Sequence, residues 1–228
     1  MGTKQETMRT KEIEDISCSL ELSNEQRDVL IGTLLGDGHL ETQNNGRTYR
    51  LKIEHTIRQR AYVEWLFHLF EKWVRTAPVI RSREVLFRGK IKCYERIGFA
   101  TLSTGSFRFY AQQFYQDGKK IVPKLIHRWL TPRAMAVWYM DDGSIKSNEH
   151  KSVFLNTHSF QDIDLNRLQQ ALESQYGIKS TLRIQKGGKQ IYLLSETVKV
   201  FLQLINPYIL ESMRYKLPTV WLTQLPKK

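Results

Sequence analysis

The chain has 228 residues, 41% of them hydrophobic, and carries 35 Lys and Arg against 23 Asp and Glu, a formal charge of +12. That is enough apolar material for one large domain or two compact ones of about 100 residues. The positive surplus runs along the whole chain and favours a polyanionic partner, nucleic acid ahead of an anionic membrane surface, because neutralising phosphates releases counterions. No apolar run approaches the ~20 residues needed to span a bilayer. Cys18 and Cys93 lie far apart, outside any CxxC or Cys/His cluster. A zinc module and a disulfide framework therefore have no support, and an intracellular reducing compartment is expected, cytoplasm or organelle matrix.

Residues 1–22 lack the apolar core of a signal peptide and read as an N-terminal arm or short peripheral helix. Ser23-Asn24-Glu25-Gln26 is a capping-box signature and starts a helix that runs through LIGTLLGDG, with Gly32 and Gly36 four apart and Asp37 at its end. TYRLKIEHT (48–56) alternates like a strand, and AYVEWLFHLFEKW (61–73) has helical apolar spacing. Two strand-like runs surround REVLFRGKIKCY, with a turn at Arg88-Gly89 that pairs Leu86 with Ile91, and a helix begins near Gly105. Thr131 as N-cap and Pro132 at the first helical position open a second helix, AMAVWYMDDG. It carries small Ala134 and Ala136 and ends on Asp141, Asp142 and Gly143. SVFLNTHS (152–159) is then a strand and DIDLNRLQQALESQY a helix. STLRIQ-KGGK-QIYLLS is a hairpin turned by Gly187-Gly188, and a final helix starts near Glu196.

The order of elements occurs twice, over 23–124 and 125–228, and each half closes with a lysine before a proline: Lys120-Ile121-Val122-Pro123 and Lys216-Leu217-Pro218. An approximate two-fold relation between such halves would set the two small-residue helices side by side and bring their terminal acids together. Adjacent carboxylates repel, so they require shared protons or bound cations. Hard oxygen ligands in a basic chain point to Mg²⁺ and to phosphodiester hydrolysis.

LIGTLLGDG and MAVWYMDDG resemble the two signature segments of the LAGLIDADG homing endonucleases, in the single-chain form with both motifs in one polypeptide. The Trp and Asp pair of the second motif, and the tail PYILESMRYKLP, are similar to the intron-encoded members. The resemblance implies an α+β fold of two pseudo-two-fold-related αββαββα halves, whose antiparallel sheets form a DNA-binding saddle. It also implies metal-dependent cleavage of both strands of a long asymmetric site, by a monomer, in the service of intron homing. Asp37 and Asp142, immediately before the motif glycines, are the implied catalytic metal ligands, with Gly36 and Asp141 at the preceding position of the metal site. Lys120 and Lys216 match lysines that lie beside the scissile phosphates. Mg²⁺ is the implied cofactor, with Mn²⁺ substituting and Ca²⁺ binding without supporting cleavage. Double-stranded DNA is the implied partner, intron RNA a competing one, and a non-catalytic DNA-binding role on the same scaffold is the third reading.

Strand alternation separates a core face from a groove face. With Tyr49, Leu51 and Ile53 inward, Arg50, Lys52 and Glu54 face outward; with Leu86 and Ile91 inward, so do Arg81, Arg83, Lys92, Tyr94 and Arg96. In the second half Leu182, Ile184, Ile191 and Leu193 are expected inward, leaving Lys179, Arg183, Gln185, Gln190 and Tyr192 for DNA. Trp65, Trp73, Trp129, Trp138 and Trp221 fall on helical apolar spacings and are assigned to the core.

Overall fold

The structure, a computed structural model, describes residues 11, 15–16, 19–87, 89–145, 153–185 and 187–219. Most of the expected arm, Cys18, Arg88 of the first expected turn and Trp221 lie outside the described residues.

In chain order the first half runs α1 (Asn24–Leu35), β1 (His39–Glu41), β2 (Arg50–Thr56), α2 (Arg60–Leu69), β3 (Val79–Phe87), β4 (Lys90–Ala100) and α3 (Arg108–Phe114). A small ladder, β5 (Tyr115–Gln116) with β6 (Lys119–Lys120), and the short α4 (Ile126–Trp129) lead to the second half. That half runs α5 (Pro132–Asp142), β7 (Gly143–Ile145), β8 (Val153–Leu155), α6 (Asp162–Tyr176), β9 (Ser180–Gln185), β10 (Gly188–Leu193) and α7 (Ser195–Ile205). Both halves are thus αββαββα, and each holds a four-stranded antiparallel sheet with equivalent order, β1-β2-β4-β3 and β7-β8-β10-β9. None of the described helices is long and apolar enough to cross a membrane.

The expected caps close both motif helices. Ser23 N–H donates to Gln26 Oε1 (3.0 Å) while Gln26 N–H donates to Ser23 Oγ (3.1 Å), the reciprocal pair of a capping box. Thr131 Oγ1 accepts from Ala134 N–H (3.1 Å), with Pro132 at the first turn. By contact density the chain forms two compact units, one containing Gly38–Gln112 and the other Arg27–Asp37 together with the chain from Gln113. Most of α1 therefore belongs to the same unit as α5.

In the first unit β2 alternates as expected, with Leu51, Ile53 and His55 buried and Arg50, Lys52 and Glu54 on the other face. The buried face packs on Tyr62, Val63 and Leu66 of α2, with the Trp73 and Phe107 rings tilted against one another at 5.0 Å. In the second unit Val153, Leu155, Ile191 and Leu193 line the core with Leu165, Leu168 and Leu172 of α6 and Phe201 of α7. Trp73 and Trp138 are buried; Trp65 and Trp129 are half-buried, stacked on Tyr62 and Phe114.

Three inward expectations fail in burial though not in parity. Leu86 and Ile91 pair as expected, yet are 72% and 70% exposed, and Ile184 is 85% exposed. All three lie on the core face near a hairpin end, where the sheet runs past its helical cover. The second hairpin also turns one residue earlier than expected, because Gly188 pairs with Gln185 and so belongs to β10.

Candidate metal centre and nucleic-acid interface

Two helices buried nearly all round meet in the second unit. Every residue from Val29 to Leu35 of α1 and from Ala134 to Asp141 of α5 is buried, the signature of helices with no solvent face. Their close approach depends on glycine. A Cβ on Gly32 would lie 2.6 Å from the Ala134 carbonyl oxygen and 2.6 Å from Val137 Cβ; one on Gly36 would lie 2.5 Å from Asp141 Cβ and Oδ2. The GxxxG spacing is thus filled by the backbone and side chains of the second motif.

The two motifs end side by side. Asp37 N–H donates to Asp141 Oδ2 at 3.1 Å, and carboxylate oxygens of Asp37 and Asp141 lie within 4.8 Å of one another. Asp37 is exposed, Asp141 is buried, and Asp142 between them in environment is half-buried. Burial, reinforced by the neighbouring charges of Asp37 and Asp141, pushes the Asp142 carboxyl up to about 8, against the opposing pull of Lys120 and Lys216.

The two closing lysines arrive equivalently. Lys120 Nζ donates to the Gly36 carbonyl (2.8 Å), and Lys216 Nζ donates to the Asp141 carbonyl (2.7 Å). Each ammonium therefore grips the carbonyl of the residue just before its own motif acid. Burial lowers both lysine pKa values, and the surrounding Asp141, Asp142 and Asp37 oppose that shift. Lys120 is carried by β6, paired with Tyr115 of β5, whereas Lys216 ends the 3-10 turn Glu211–Lys216.

This donor set fits a hard divalent cation. Asp37, Asp141 and Asp142 crowd negative charge into a partly desolvated corner, which is why Asp142 holds its proton so tightly. A cation would relieve that repulsion, and carboxylate and carbonyl oxygens are the ligands such ions take. The Gly36 and Asp141 carbonyls each accept from a lysine, and a carbonyl has a second lone pair to offer.

The residues expected at the DNA surface fall on two sheet faces. In the first unit the pairs Arg81↔Arg96, Arg83↔Tyr94, Val85↔Lys92 and Glu54↔Gly98 put Arg50, Lys52, Glu54, Arg81, Arg83, Lys92, Tyr94 and Arg96 on one face, opposite the core. Acids hold several of these cations in place: Arg96 Nη1 donates to Glu54 Oε1 (2.8 Å), Arg81 lies 3.9 Å from the same carboxylate, and Arg50 donates to Glu41 (2.5 Å). The Arg96 hydrogen bond holds the Glu54 carboxyl below its usual range.

In the second unit Arg183, Gln185, Gln190 and Tyr192 share the outward face. The Arg183 guanidinium lies 3.7 Å above the Tyr192 ring, whose centroid is 5.1 Å from that of Phe154. Phe154 escaped the sequence assignment, although Val153 and Leu155 inward should have put it outward, opposite Tyr192. Gln190 departs from expectation: it is only 6% exposed and donates to Asn156 Oδ1. Lys179 precedes β9, and its ammonium lies 4.0 Å from Glu196 at the start of α7. Tyr139 also went unread, since a tyrosine among apolar neighbours signals only core; its hydroxyl, pushed up by burial, donates to the Lys216 carbonyl at 2.6 Å.

Known proteins are similar to this chain in sequence and fold. The sequence model of the LAGLIDADG DNA endonuclease family matches residues 27–201. DNA endonuclease I-ChuI of Chlamydomonas applanata is 33% identical over 212 residues, spanning 86% of this chain and 96% of that protein. The cytochrome b mRNA maturase bI2 of Saccharomyces cerevisiae is 32% identical over 203 residues, 83% of this chain and 46% of its own length. The solved structure of the homing endonuclease I-WcaI bound to its DNA recognition sequence superposes with a TM-score of 0.81 at 25% identity, covering 95% of this chain and 93% of that one. Family match, paired motifs and the acidic centre agree, and the chain belongs to the LAGLIDADG DNA endonuclease family as a metal-dependent, site-specific DNA endonuclease.

Proposed function

We propose that the protein makes a double-strand cut in a long asymmetric DNA target with Mg²⁺ held by Asp37 and Asp142, and that the cut promotes mobility of its own intron. The observation that carries this reading is the end of the α1–α5 contact, where acids and lysines from two equivalent motifs converge. Asp37 and Asp142 would hold the cation, with the Gly36 and Asp141 positions beside them. When bound, the cation supplies Lewis-acid stabilisation of charge on phosphate oxygens. Asp141 fixes the Asp37 backbone through the 3.1 Å hydrogen bond, so the two motif acids are oriented before substrate arrives.

Lys120 and Lys216 each place one ammonium beside a motif acid. In a partly desolvated site such a charge stabilises the negative charge that develops at phosphorus, and one lysine per half matches one strand per lysine. The outward sheet faces supply Arg and Lys for guanine and phosphate, the exposed Gln185 for adenine, and the Phe154–Tyr192–Arg183 cluster. Because one chain provides both motifs, a monomer suffices. Mn²⁺ should substitute for Mg²⁺, whereas Ca²⁺ fills an oxygen site with looser geometry and should support binding without cutting.

A second reading, intron RNA binding in splicing, is favoured by the 32% identity to a protein named as an mRNA maturase. The test is a randomised duplex library incubated with the protein and Mg²⁺, with sequencing of the cut ends. Paired breaks at one long site are expected. Folded, DNA-binding protein that yields no site-dependent paired break would favour the non-catalytic DNA-binding or maturase readings.

A further inference from the structure

The two lysines end in the same environment but are delivered by different scaffolds. Lys120 sits in a backbone ladder: Tyr115 pairs with Lys120, and Ile121 N–H donates to the Phe114 carbonyl at 2.8 Å. Lys216 closes a 3-10 turn, and no strand pairing among the described residues holds it. In place of a ladder, its own carbonyl accepts the Tyr139 hydroxyl at 2.6 Å while its ammonium reaches the Asp141 carbonyl at 2.7 Å. Both anchors stand on α5, two residues apart, so one helix holds the lysine at its backbone and at its tip.

The tyrosine itself is fixed from both sides. Its ring meets Phe201 edge to face at 5.6 Å, and it fills the space a side chain at Gly143 would need, since a Cβ there would lie 2.2 Å from the ring. The Gly143 N–H also donates to the Tyr139 carbonyl. Counting back from the motif acids, Asp142 matches Asp37 and Tyr139 therefore matches Leu34, a buried residue with no polar side-chain atom. Leu34 offers no hydroxyl, so the Tyr139 anchor has no counterpart at the equivalent position of the first motif.

We propose that Tyr139 is the positioning residue for Lys216, and so controls the cutting of one DNA strand and not the other. The proposal rests on the reading that each lysine serves one scissile phosphate. Tyr139→Phe keeps the ring against Phe201 and Gly143 and removes only the anchor. Freed from it, the Lys216 ammonium loses its fixed placement, and misplacement of about 1 Å can cost up to roughly a hundredfold in rate.

The experiment uses the selected duplex with a different fluorophore on each strand, Mg²⁺, and the variants Tyr139→Phe, Lys216→Met and Lys120→Met. Tyr139→Phe is expected to slow the cut that Lys216→Met suppresses by about ten- to a hundredfold, leaving the other strand near wild-type rate and accumulating nicked duplex. Without DNA or metal, acetylation of lysines read by mass spectrometry should show Lys216 labelled severalfold faster relative to Lys120 in Tyr139→Phe than in wild type. Equal slowing of both strands, or an unchanged labelling ratio, overturns the role of Tyr139 while the lysine reading stands. If Lys216→Met itself shows no strand preference, the lysine reading fails and the proposal with it.

Discussion

Gly32→Ala adds one methyl group where α1 and α5 nearly touch. Its Cβ would lie 2.6 Å from the Ala134 carbonyl oxygen, 2.6 Å from Val137 Cβ and 2.9 Å from Val137 Cγ1. Carbon contacts are comfortable at about 3.5–4.0 Å, and the first two obstacles are fixed by backbone, so rotamer changes cannot relieve them. The helices must separate by roughly 1 Å, and overpacking of this kind costs about 1–3 kcal/mol. The better helix propensity of alanine returns up to ~1 kcal/mol. The net loss, up to about 3 kcal/mol, lowers the Tm of a chain this size by up to roughly 12 °C. The same separation strains the 3.1 Å bond from Asp37 N–H to Asp141, so cleavage should fall by more than the stability loss explains, on the order of a hundredfold. Thermal melts beside strand-resolved cleavage measure both effects. Gly105→Ala is the control, because a Cβ at Gly105 meets nothing within 4 Å. A Gly32→Ala protein that melts at or above wild type and cuts at its rate would refute the packing argument.

Further outcomes follow from individual contacts. Lys120→Met and Lys216→Met should each reduce cleavage far more than duplex affinity; a salt titration that finds equal losses, with the slope reduced by about one unit, would make them simple phosphate anchors. Asp164 is buried and accepts from Val122 N–H (3.1 Å), Gln161 N–H (3.4 Å) and Arg167 (3.2 Å), so Asp164→Ala should destabilise by about 1–3 kcal/mol in urea unfolding; an unchanged stability contradicts its structural role. Asp142 is raised from 3.8 to about 8, so between those values the native state binds a proton that the unfolded state has lost. Its contribution to metal-free stability therefore declines as pH rises through that window. The rise in Tm on adding Mg²⁺ should then be larger at pH 8.5 than at pH 6, and equal increments would remove Asp142 from the cation site.

The signals legible in sequence were those fixed locally. Ser23 with Gln26, and Thr131 with Pro132, mark helix starts through bonds spanning three residues, and both caps form as read. Sheet parity was legible for the same reason, since alternation of inward and outward residues is a local property of a strand. Burial was not: Leu86, Ile91 and Ile184 point toward the core side, but whether a helix reaches that far depends on tertiary extent. The strands His39–Glu41 and Gly143–Ile145 have three residues each, too few to display alternation. Gln190 is drawn under cover by Asn156, and Tyr139 reaches a carbonyl 77 positions along the chain, pairings that no local pattern encodes. The motif acids were readable from the repeat, whereas the part played by the Asp141 carboxylate against Asp37 required the fold.

The most direct measurement is cleavage of the selected duplex by Asp37→Asn and Asp142→Asn proteins across a Mg²⁺ titration, with binding followed in Ca²⁺. Each substitution removes a carboxylate charge with little change of shape. Neither variant should linearise the duplex at any Mg²⁺ concentration, while both bind it in Ca²⁺ with near wild-type affinity. Linearisation by either variant at the wild-type rate and the same Mg²⁺ midpoint would contradict a metal site built from the two motif acids.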